Sequence, residues 1–414
     1  MLEINSNANL HQNGSPFLSG LIILGLFTLT VGCSSDSTPT DPGEEPEPEE
    51  PITLQMVDDN ATENTRALYS NLWAMQSEGV MFGHHDDLIY GRHWMAEQGR
   101  SDIKDITGDY PAVFSVDLAE IMNSKSAVDG YELNDDRRRT ILEAYERGEV
   151  IIANAHLNNP LTGGDAWDNS SSEVVSELLT EGSETHQKFK KWLDNLAEFV
   201  NNLRGHNGEL VPLIFRPFHE HNHSWSWWGS GTTTSQEYID LWRFTINYLR
   251  DEKNVHNLIY AISPQLDGVG TKQEMLYAWP GDEYVDFIGM DSYHGTNTDA
   301  LAHNVANLEE LILEKKKPGG ITETGIEGIR DYNGNPLNEY WTREIMTPLI
   351  GHEISMVIMW RNKYDPQNTG HHYFAPFEGH SSVPDFIEFY NSSIMLFSND
   401  LPDMYEMAEG VSIQ

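Results

Sequence analysis

Short apolar segments rich in β-branched residues recur along the chain, and each ends in polar or aromatic residues. Stretches with helical patterning lie between them, such as residues 173–203 and 235–250. Nearly continuous apolar strands that alternate with helices indicate a parallel sheet buried on both faces. Eight such segments favour a closed (β/α)8 TIM barrel over an open doubly wound sheet, so the predicted fold class is α/β. The segments are residues 81–85, 112–118, 150–157, 211–220, 258–265, 287–293, 320–325 and 355–362.

The residues best suited to chemistry cluster where these apolar segments end. In a (β/α)8 barrel, the carboxyl ends of the strands form the face that carries the active site. We therefore expect these side chains to surround one site. They are His84, His85, His156, His219, Glu220, Asp291, Tyr293, Glu323, Trp360 and Arg361.

The first 33 residues are typical of an export signal. Their apolar run, residues 21–31, is shorter than the roughly 20 residues that span a bilayer, and a short apolar core before small residues indicates a secretory signal peptide. Cys33 is the only cysteine, and its place after residues 29–32 (LTVG) is similar to a bacterial lipobox, where the cysteine is lipidated. We expect an outer-membrane lipoprotein, at the cell surface or periplasmic face, attached only through Cys33. An incidental cysteine in a cleaved leader is the alternative.

Residues 34–52 differ sharply in composition from the rest of the chain. This stretch is rich in Pro, Glu and Asp and has almost no apolar residue. Such a segment cannot bury enough surface to offset its ordering entropy, so it is predicted to be an extended linker. Residues 53–414 then form a single catalytic barrel domain.

The charge balance excludes some partners. The formal net charge is −40, with 25 Lys and Arg against 65 Asp and Glu. Contacts to phosphates require cationic side chains, so we expect no nucleic-acid partner. A neutral polymer fits better, and the 11 Trp and 17 Tyr offer flat faces that stack on sugar rings. We expect a monomer.

Two glutamates at strand ends suggest hydrolysis of a glycosidic bond. Glu220 ends the fourth apolar segment and Glu323 lies at the end of the seventh. Glycoside hydrolysis needs a proton donor for the leaving oxygen and a second carboxylate across the sugar. Each glutamate could instead be partly buried and held by Arg216 or Arg361. Their places on the fourth and seventh of eight strands favour the catalytic interpretation.

Residues 216–229 (RPFHEHNHSWSWWG) carry a more specific signal. They resemble the signature of glycoside hydrolase family 26, R-P-F-H-E-x-N-G-x-W-F-W-W-G, whose main activity is endo-β-1,4-mannanase. His223 replaces the usual Gly and Ser226 the usual Phe, which puts details of the sugar subsites in question. The resemblance runs from about residue 65 to 390. Other matching segments are 83–87 with Tyr90 and Gly91, 156–160, 291–293 and 322–325.

The resemblance implies a retaining mechanism on mannan, glucomannan or galactomannan. Glu220 would be the acid/base and Glu323 the nucleophile that forms a covalent glycosyl-enzyme. Retention requires the two carboxyl groups about 5–5.5 Å apart. Tyr293 and Arg216 would donate hydrogen bonds to the nucleophile, and Asp291 belongs to the same matching segments.

The resemblance also implies a set of sugar contacts. His219 would contact the sugar at the cleavage point, His156 and Trp225 would line the subsite of the attacked sugar, and Trp360 would form its stacking floor. Trp225, Trp227 and Trp228 would supply a less polar setting that keeps the acid protonated, and we expect one or two of them to face the cleft.

A metal-dependent hydrolase is one alternative, with His219, His221 and His223 joined by His84 and His85 as ligands. His84 and His85 are adjacent, so on a strand they point to opposite sides. We therefore predict no catalytic metal and no cofactor, while a structural Ca²⁺ among the many acids stays open.

Two further alternatives concern the substrate. A surface lipoprotein that binds glycan without cutting it would fit the aromatic residues, although it would not need paired glutamates. The same catalytic pair could also act on mixed-linkage β-glucan or β-1,3-xylan. Mannose differs by its axial 2-hydroxyl, which we expect His219 and His156 to recognise. The loop over residues 119–148 leaves room to block the cleft, so endo and exo action both remain open.

Overall fold

The computed structural model describes residues 51–123 and 131–414, without the side chains of residues 131–134. The predictions for the signal peptide, for Cys33 and for the linker up to residue 50 lie outside the described residues. No helix within the described ranges is both long and apolar enough to cross a membrane.

Eight parallel strands, β2 to β9, pair in chain order, and β2 also pairs with β9. The sheet is therefore a closed barrel, and each predicted apolar segment overlaps one of its strands. This confirms the predicted (β/α)8 fold. The strands are β1 (Ile52–Leu54), β2 (Val80–His85), β3 (Val113–Asp117), β4 (Val150–Asn154), β5 (Leu213–Arg216), β6 (Leu258–Ile262), β7 (Phe287–Ser292), β8 (Gly319–Thr324), β9 (Met356–Met359), β10 (Met395–Leu396) and β11 (Val411–Ile413).

Helices and helical turns connect the barrel strands. The α-helices are α1 (Glu63–Ala74), α2 (Asp102–Thr107), α3 (Ala119–Asn123), α4 (Tyr131–Glu146), α5 (Val174–Leu179), α6 (Glu184–Asn201), α7 (Ser235–Asn247), α8 (Lys272–Met275), α9 (Thr298–Lys315) and α10 (Val383–Tyr390). Turns of 3₁₀ helix cover Met75–Ser77, Asp282–Tyr284, Glu327–Ile329, Thr347–Leu349 and Ser398–Asp400, and π-helical turns cover Tyr248–Glu252 and Tyr340–Met346.

The helical stretch predicted over residues 173–203 is two helices, α5 and α6. Gly182 adopts a φ of 85°, which breaks the helix. The next residue, Ser183, caps α6 by accepting a hydrogen bond from the backbone N–H of His186, 2.9 Å away. The stretch predicted over residues 235–250 is a helix that starts as α7 and ends in a π-helical turn.

The barrel interior and the strand–helix layer are packed with apolar side chains. All the residues of β2, β4, β5, β6, β7, β8 and β9 are buried. Phe82 on β2 stacks on Phe397 and makes edge-to-face contacts with Trp341, Phe386 and Phe389. Aromatic contacts of this kind add to the apolar burial that holds the helices on the barrel.

The first and last described segments meet at the amino ends of the barrel strands. Strand β1 pairs in parallel with β11, and our predicted domain start at residue 53 falls inside β1. Val57 donates its backbone N–H to the Asp286 carboxylate at 2.7 Å, and Asp286 directly precedes β7. The chain therefore enters the barrel at the face opposite the carboxyl ends of the strands.

Candidate active site

Glu220 lies in a turn beyond β5, so our prediction that it ends the strand was wrong in detail. Strand β5 stops at Arg216 because Pro217 has no backbone N–H to continue the ladder. Phe218 and Glu220 then both adopt a φ of 52°, a left-handed conformation that is costly for residues with a side chain. The backbone N–H of Glu220 donates to the carbonyl oxygen of Ser263 at 2.8 Å, which ties the turn to β6.

Three buried carboxylates converge at the carboxyl ends of β5, β7 and β8. One oxygen from each of Glu220, Asp291 and Glu323 lies within 4.8 Å of the other two. Arg216 is buried among them and donates to Asp291 at 2.7 Å and to Glu323 in a shorter contact. Its single positive charge offsets part of the repulsion that three close carboxylates would otherwise have.

Hydrogen-bond donors surround the Glu323 carboxylate. Tyr293 donates its hydroxyl to Oε2 at 2.9 Å, while Arg216 and the Asn154 side-chain amide, at 3.4 Å, donate to Oε1. Both oxygens therefore have partners, and the side chain is held in one orientation facing the centre of the barrel.

The surroundings of Glu220 favour its protonated form. Burial raises the pKa of Glu220 well above its ordinary value, and the negative charges of Asp291 and Glu323 raise it further. The positive charge of Arg216 and the Trp225 indole N–H, 2.5 Å from Oε2, act in the opposite direction and do not cancel the rise. Asp291 is also affected, since burial raises its pKa to about 7 despite the nearby Arg216. A carboxylic acid with a raised pKa can donate a proton at neutral pH.

A pair of histidines borders the carboxylates. The Nε2 atoms of His219 and His156 are 3.3 Å apart, and His219 Nε2 is 4.0 Å from Glu323 Oε1. Burial and the charge of Arg216 lower the pKa of His219 well below its ordinary value, so its ring is uncharged. His156 is partly exposed, and its Nδ1 lies 2.6 Å from the Asp117 carboxylate.

Aromatic rings form the walls of the site. Trp360 is partly exposed and stacks on His85, with ring centroids 4.3 Å apart. Its ring centroid is 5.6 Å from that of His156. Trp167 is 56% exposed and stacks on His156 at 5.4 Å, so it extends the aromatic surface toward solvent.

Of the three tryptophans after the acid, only Trp225 is partly exposed. Trp227 and Trp228 are fully buried. Their indole N–H groups donate to the carbonyl oxygens of Leu157 at 2.9 Å and of His219 at 2.7 Å. These two rings therefore fix the loop that carries the acid, and they leave Trp225 to face the cleft.

The structure brings the nine residues predicted to act as catalysts or sugar contacts into one connected group, through the contacts described above. His85, at the end of β2, was also predicted from its strand end, and it stacks on Trp360. Three neighbours were not predicted. Asp117 and Asn154 lie at the carboxyl ends of β3 and β4, where the same strand-end rule would have found them. Trp167 lies in a loop, and no sequence pattern marked it.

The histidines of the metal alternative have separate partners. His84 Nδ1 contacts Asp87 at 2.7 Å, whereas His85 Nδ1 contacts Ser115 at 2.7 Å, so the adjacent rings do point to different sides. His221 contacts the carbonyl oxygen of Tyr277 at 2.8 Å. Within the described ranges, the one group of ligand-type side chains close enough to hold an ion is the carboxylate triad, which contains no histidine.

Glu220, whose pKa is raised, and Glu323 have carboxylate oxygens less than 5 Å apart. This short separation suits glycoside hydrolysis with retention, since inversion needs carboxyl groups about 6.5–9.5 Å apart.

Fold and site together are those of a glycoside hydrolase. The sequence profile of glycosyl hydrolase family 26 matches residues 57–331. The chain belongs to this family, as the resemblance in residues 216–229 predicted.

Relatives and solved structures agree with this placement. A mannan endo-1,4-beta-mannosidase of Bifidobacterium adolescentis is 29% identical over 379 residues, which cover 87% of this chain and 37% of the relative. One from Bacillus subtilis is 25% identical over 69% of this chain and 78% of the relative. The match to the enzyme from Caldalkalibacillus mannanilyticus spans 58% of that protein. This chain therefore spans well under two thirds of some relatives.

Two solved structures share the fold closely. The GH26 beta-mannanase from Bacteroides ovatus is 36% identical with a TM-score of 0.76, covering 84% of this chain and 98% of that one. The catalytic domain of the endo-beta-1,4-mannanase from Bacillus sp. JAMB-750 is 29% identical with a TM-score of 0.80, covering 89% and 100%.

The buried carboxylates predict a pH-dependent gain in stability on neutralising Glu220. Because the folded protein raises the pKa of Glu220, ionising this group costs stability once the pH exceeds about 4.3, where an unfolded glutamate titrates. Glu220→Gln should therefore raise the melting temperature, and the gain over the parent should grow from pH 4 to pH 8. Thermal unfolding measures it, and exposed Glu378→Gln supplies the baseline for losing one charge. A gain that is constant with pH would contradict the prediction.

Proposed function

We propose that the protein is a retaining β-1,4-mannanase that hydrolyses mannan, glucomannan or galactomannan. The observation that carries the proposal is the close pair of buried glutamates, Glu220 and Glu323, in a family 26 barrel. The proposed substrate is supported by the relatives, several of which are mannan endo-1,4-beta-mannosidases.

In the first step, a carboxylate oxygen of Glu323 attacks the anomeric carbon of the sugar. Glu220 gives its proton to the glycosidic oxygen, which leaves with the electrons of the broken bond. The product is a covalent glycosyl-enzyme. In the second step, Glu220, now ionised, takes a proton from water as the water oxygen attacks the same carbon. The bond to Glu323 breaks, and the original configuration is restored.

The surrounding charges suit both steps. Arg216 and Tyr293 hold the Glu323 carboxylate in place for attack. The negative charge of Glu323 favours a proton on Glu220 before the first step, and it disappears when Glu323 becomes an ester. Loss of that charge lowers the pKa of Glu220, so after Glu220 has donated its proton it stays ionised and can act as the base of the second step. The charge on Glu323 thus favours the acid form of Glu220 in the first step, and its loss favours the base form in the second.

The sugar is proposed to stack on Trp360, beside the two histidines. Trp360 offers a partly exposed face supported from behind by His85. His156, His219 and Trp225 line the subsite beside Glu220 and Glu323. Flat rings suit the apolar face of a pyranose, and imidazole nitrogens suit its hydroxyl groups.

The two glutamates are predicted to fail in different ways when replaced. Glu323→Ala should lower kcat on mannan by more than about a thousandfold, because no covalent intermediate forms. Glu220→Ala should be comparably slow on mannan but should still release an aryl leaving group that needs no proton, and azide should restore its turnover. Released reducing ends and aryl alcohol measure both.

The same experiment separates the alternatives. If the Glu220 and Glu323 variants exchanged these behaviours, the roles would be reversed. A parent that cleaves mixed-linkage β-glucan or β-1,3-xylan but not mannan would replace the substrate while keeping the catalytic pair. A parent that binds mannan and releases no sugar would favour the glycan-binding lipoprotein.

His156 is predicted to contribute to recognition of mannose. Its imidazole lies at the edge of the site beside His219, where the axial 2-hydroxyl of mannose is proposed to bind. His156→Ala should lower kcat/KM on mannohexaose about tenfold or more, because a bound hydroxyl loses its partner. Initial rates measure it, with exposed Tyr332→Ala as the control. An unchanged kcat/KM would refute this role.

We further propose that the protein is exported and anchored in the outer membrane by lipid on Cys33. Support comes from the apolar run before this single cysteine and from the acidic, Pro-rich residues that follow it. The signal peptide would be removed at Cys33, and residues 34–50 would connect the lipid to the barrel.

Replacing Cys33 tests the anchor. In a bacterial host that processes lipoproteins, the parent should label with a fatty acid and partition into the detergent phase of a Triton X-114 extract. Cys33→Ala should lose the label and remain in the aqueous phase with its hydrolytic activity intact. Equal labelling of both proteins would contradict the lipid anchor.

A further inference from the structure

Asp117, the last residue of β3, binds His156 from the side away from His219. Its Oδ2 lies 2.6 Å from His156 Nδ1, and its Oδ1 accepts the backbone N–H of Ala119 at 2.7 Å. The mechanism proposed above uses His156 and His219 without Asp117.

Asp117 determines which nitrogen of His156 carries the proton. Burial alone would raise the pKa of Asp117, but the hydrogen bonds from His156 and from the backbone N–H of Ala119 hold it below its usual range. Asp117 is therefore ionised and can only accept hydrogen bonds. His156 must donate from Nδ1, and an uncharged His156 then presents a lone pair at Nε2.

The lone pair of His156 in turn sets the proton on His219. The two Nε2 atoms are 3.3 Å apart, and His219 is uncharged, so it has one N–H. That N–H must be at Nε2 if His219 is to donate to His156. Nε2 of His219 is also the atom 4.0 Å from Glu323 Oε1. A donor at this position is attracted to the carboxylate, whereas a lone pair would be repelled.

We infer that Asp117 is a positioning residue that acts through His156 to keep a proton on Nε2 of His219, beside the nucleophile and the bound sugar. The expected effect on turnover rests on the proposed function, whereas the positions of the protons on His156 and His219 do not. The chain of contacts runs from Asp117 to His156 to His219, and only the last two border the sugar.

Asp117→Asn separates this role from a structural one. Two backbone N–H groups donate to Asp117, that of Ala119 to Oδ1 at 2.7 Å and that of His156 to Oδ2 at 3.3 Å. Because the Ala119 hydrogen bond is the shorter, we expect the amide oxygen of the new Asn to stay with Ala119 and the amide NH₂ to face His156. His156 must then accept at Nδ1 and carry its proton on Nε2. Two N–H groups would meet between the rings, and His219 would have to move its proton to Nδ1.

Long-range ¹H–¹⁵N correlation of histidine-labelled, ligand-free protein reads these protons directly. In the parent, we expect His156 protonated on Nδ1 and His219 protonated on Nε2. In Asp117→Asn, both should exchange to the other nitrogen. A parent His156 with its single proton on Nε2 would overturn the inference, even if the variant failed to fold. Hydrolysis plays no part in this measurement, so a failure of the proposed function is seen separately.

Kinetics on mannohexaose give the second readout. Asp117→Asn should lower kcat/KM about tenfold to a hundredfold, because His219 would no longer present an N–H to the sugar and the nucleophile. The same change made in His156→Ala should have little further effect, since Asp117 acts through that ring. Asp251→Asn, an exposed charge loss, is the control. An undiminished effect in the His156→Ala background would show that Asp117 acts by another route and would refute the inference.

Discussion

The site depends on one buried guanidinium among three buried carboxylates. Arg216 extends from the end of β5 and bonds to Asp291 on β7 and Glu323 on β8. Three carboxylates within 4.8 Å cannot all stay ionised in a protein interior without such a partner. Because one positive charge is too little for three negative ones, Glu220 tends to hold a proton. The ion pair between Arg216 and Glu323 thus stabilises the cluster and also leaves Glu220 as the glutamate that serves as the acid.

The position of that acid depends on an unusual turn. Pro217 ends the strand, Phe218 and Glu220 take left-handed conformations, and Trp227 and Trp228 are buried behind them. Strained backbone persists only where its surroundings hold it. The indole of Trp228 donates to the carbonyl of His219, inside the turn itself. Trp227 and Trp228 therefore stabilise the turn and do not line the cleft as sugar contacts.

Much of the architecture could be predicted from the sequence, since an apolar strand buried on both faces leaves a clear pattern. All eight barrel strands and the site residues at strand ends were found in this way, whereas Arg216 and Trp225 were found through the resemblance in residues 216–229. Local geometry left weaker signals: the break at Gly182 between α5 and α6, and the turn that moves Glu220 beyond β5, depend on single residues within strong patterns. Asp117 stands at a strand end that could have marked it, but its role depends on contact with His156, 39 positions along the chain. Pairing across a barrel is a tertiary property that no local pattern records.

The pairing of β1 with β11 keeps both ends of the described domain away from the cleft. Pro51 and Gln414 lie on the side of the barrel where the strands begin, and the cleft opens on the side where they end. A segment fused to either end would therefore start on the far side of the molecule from the three carboxylates.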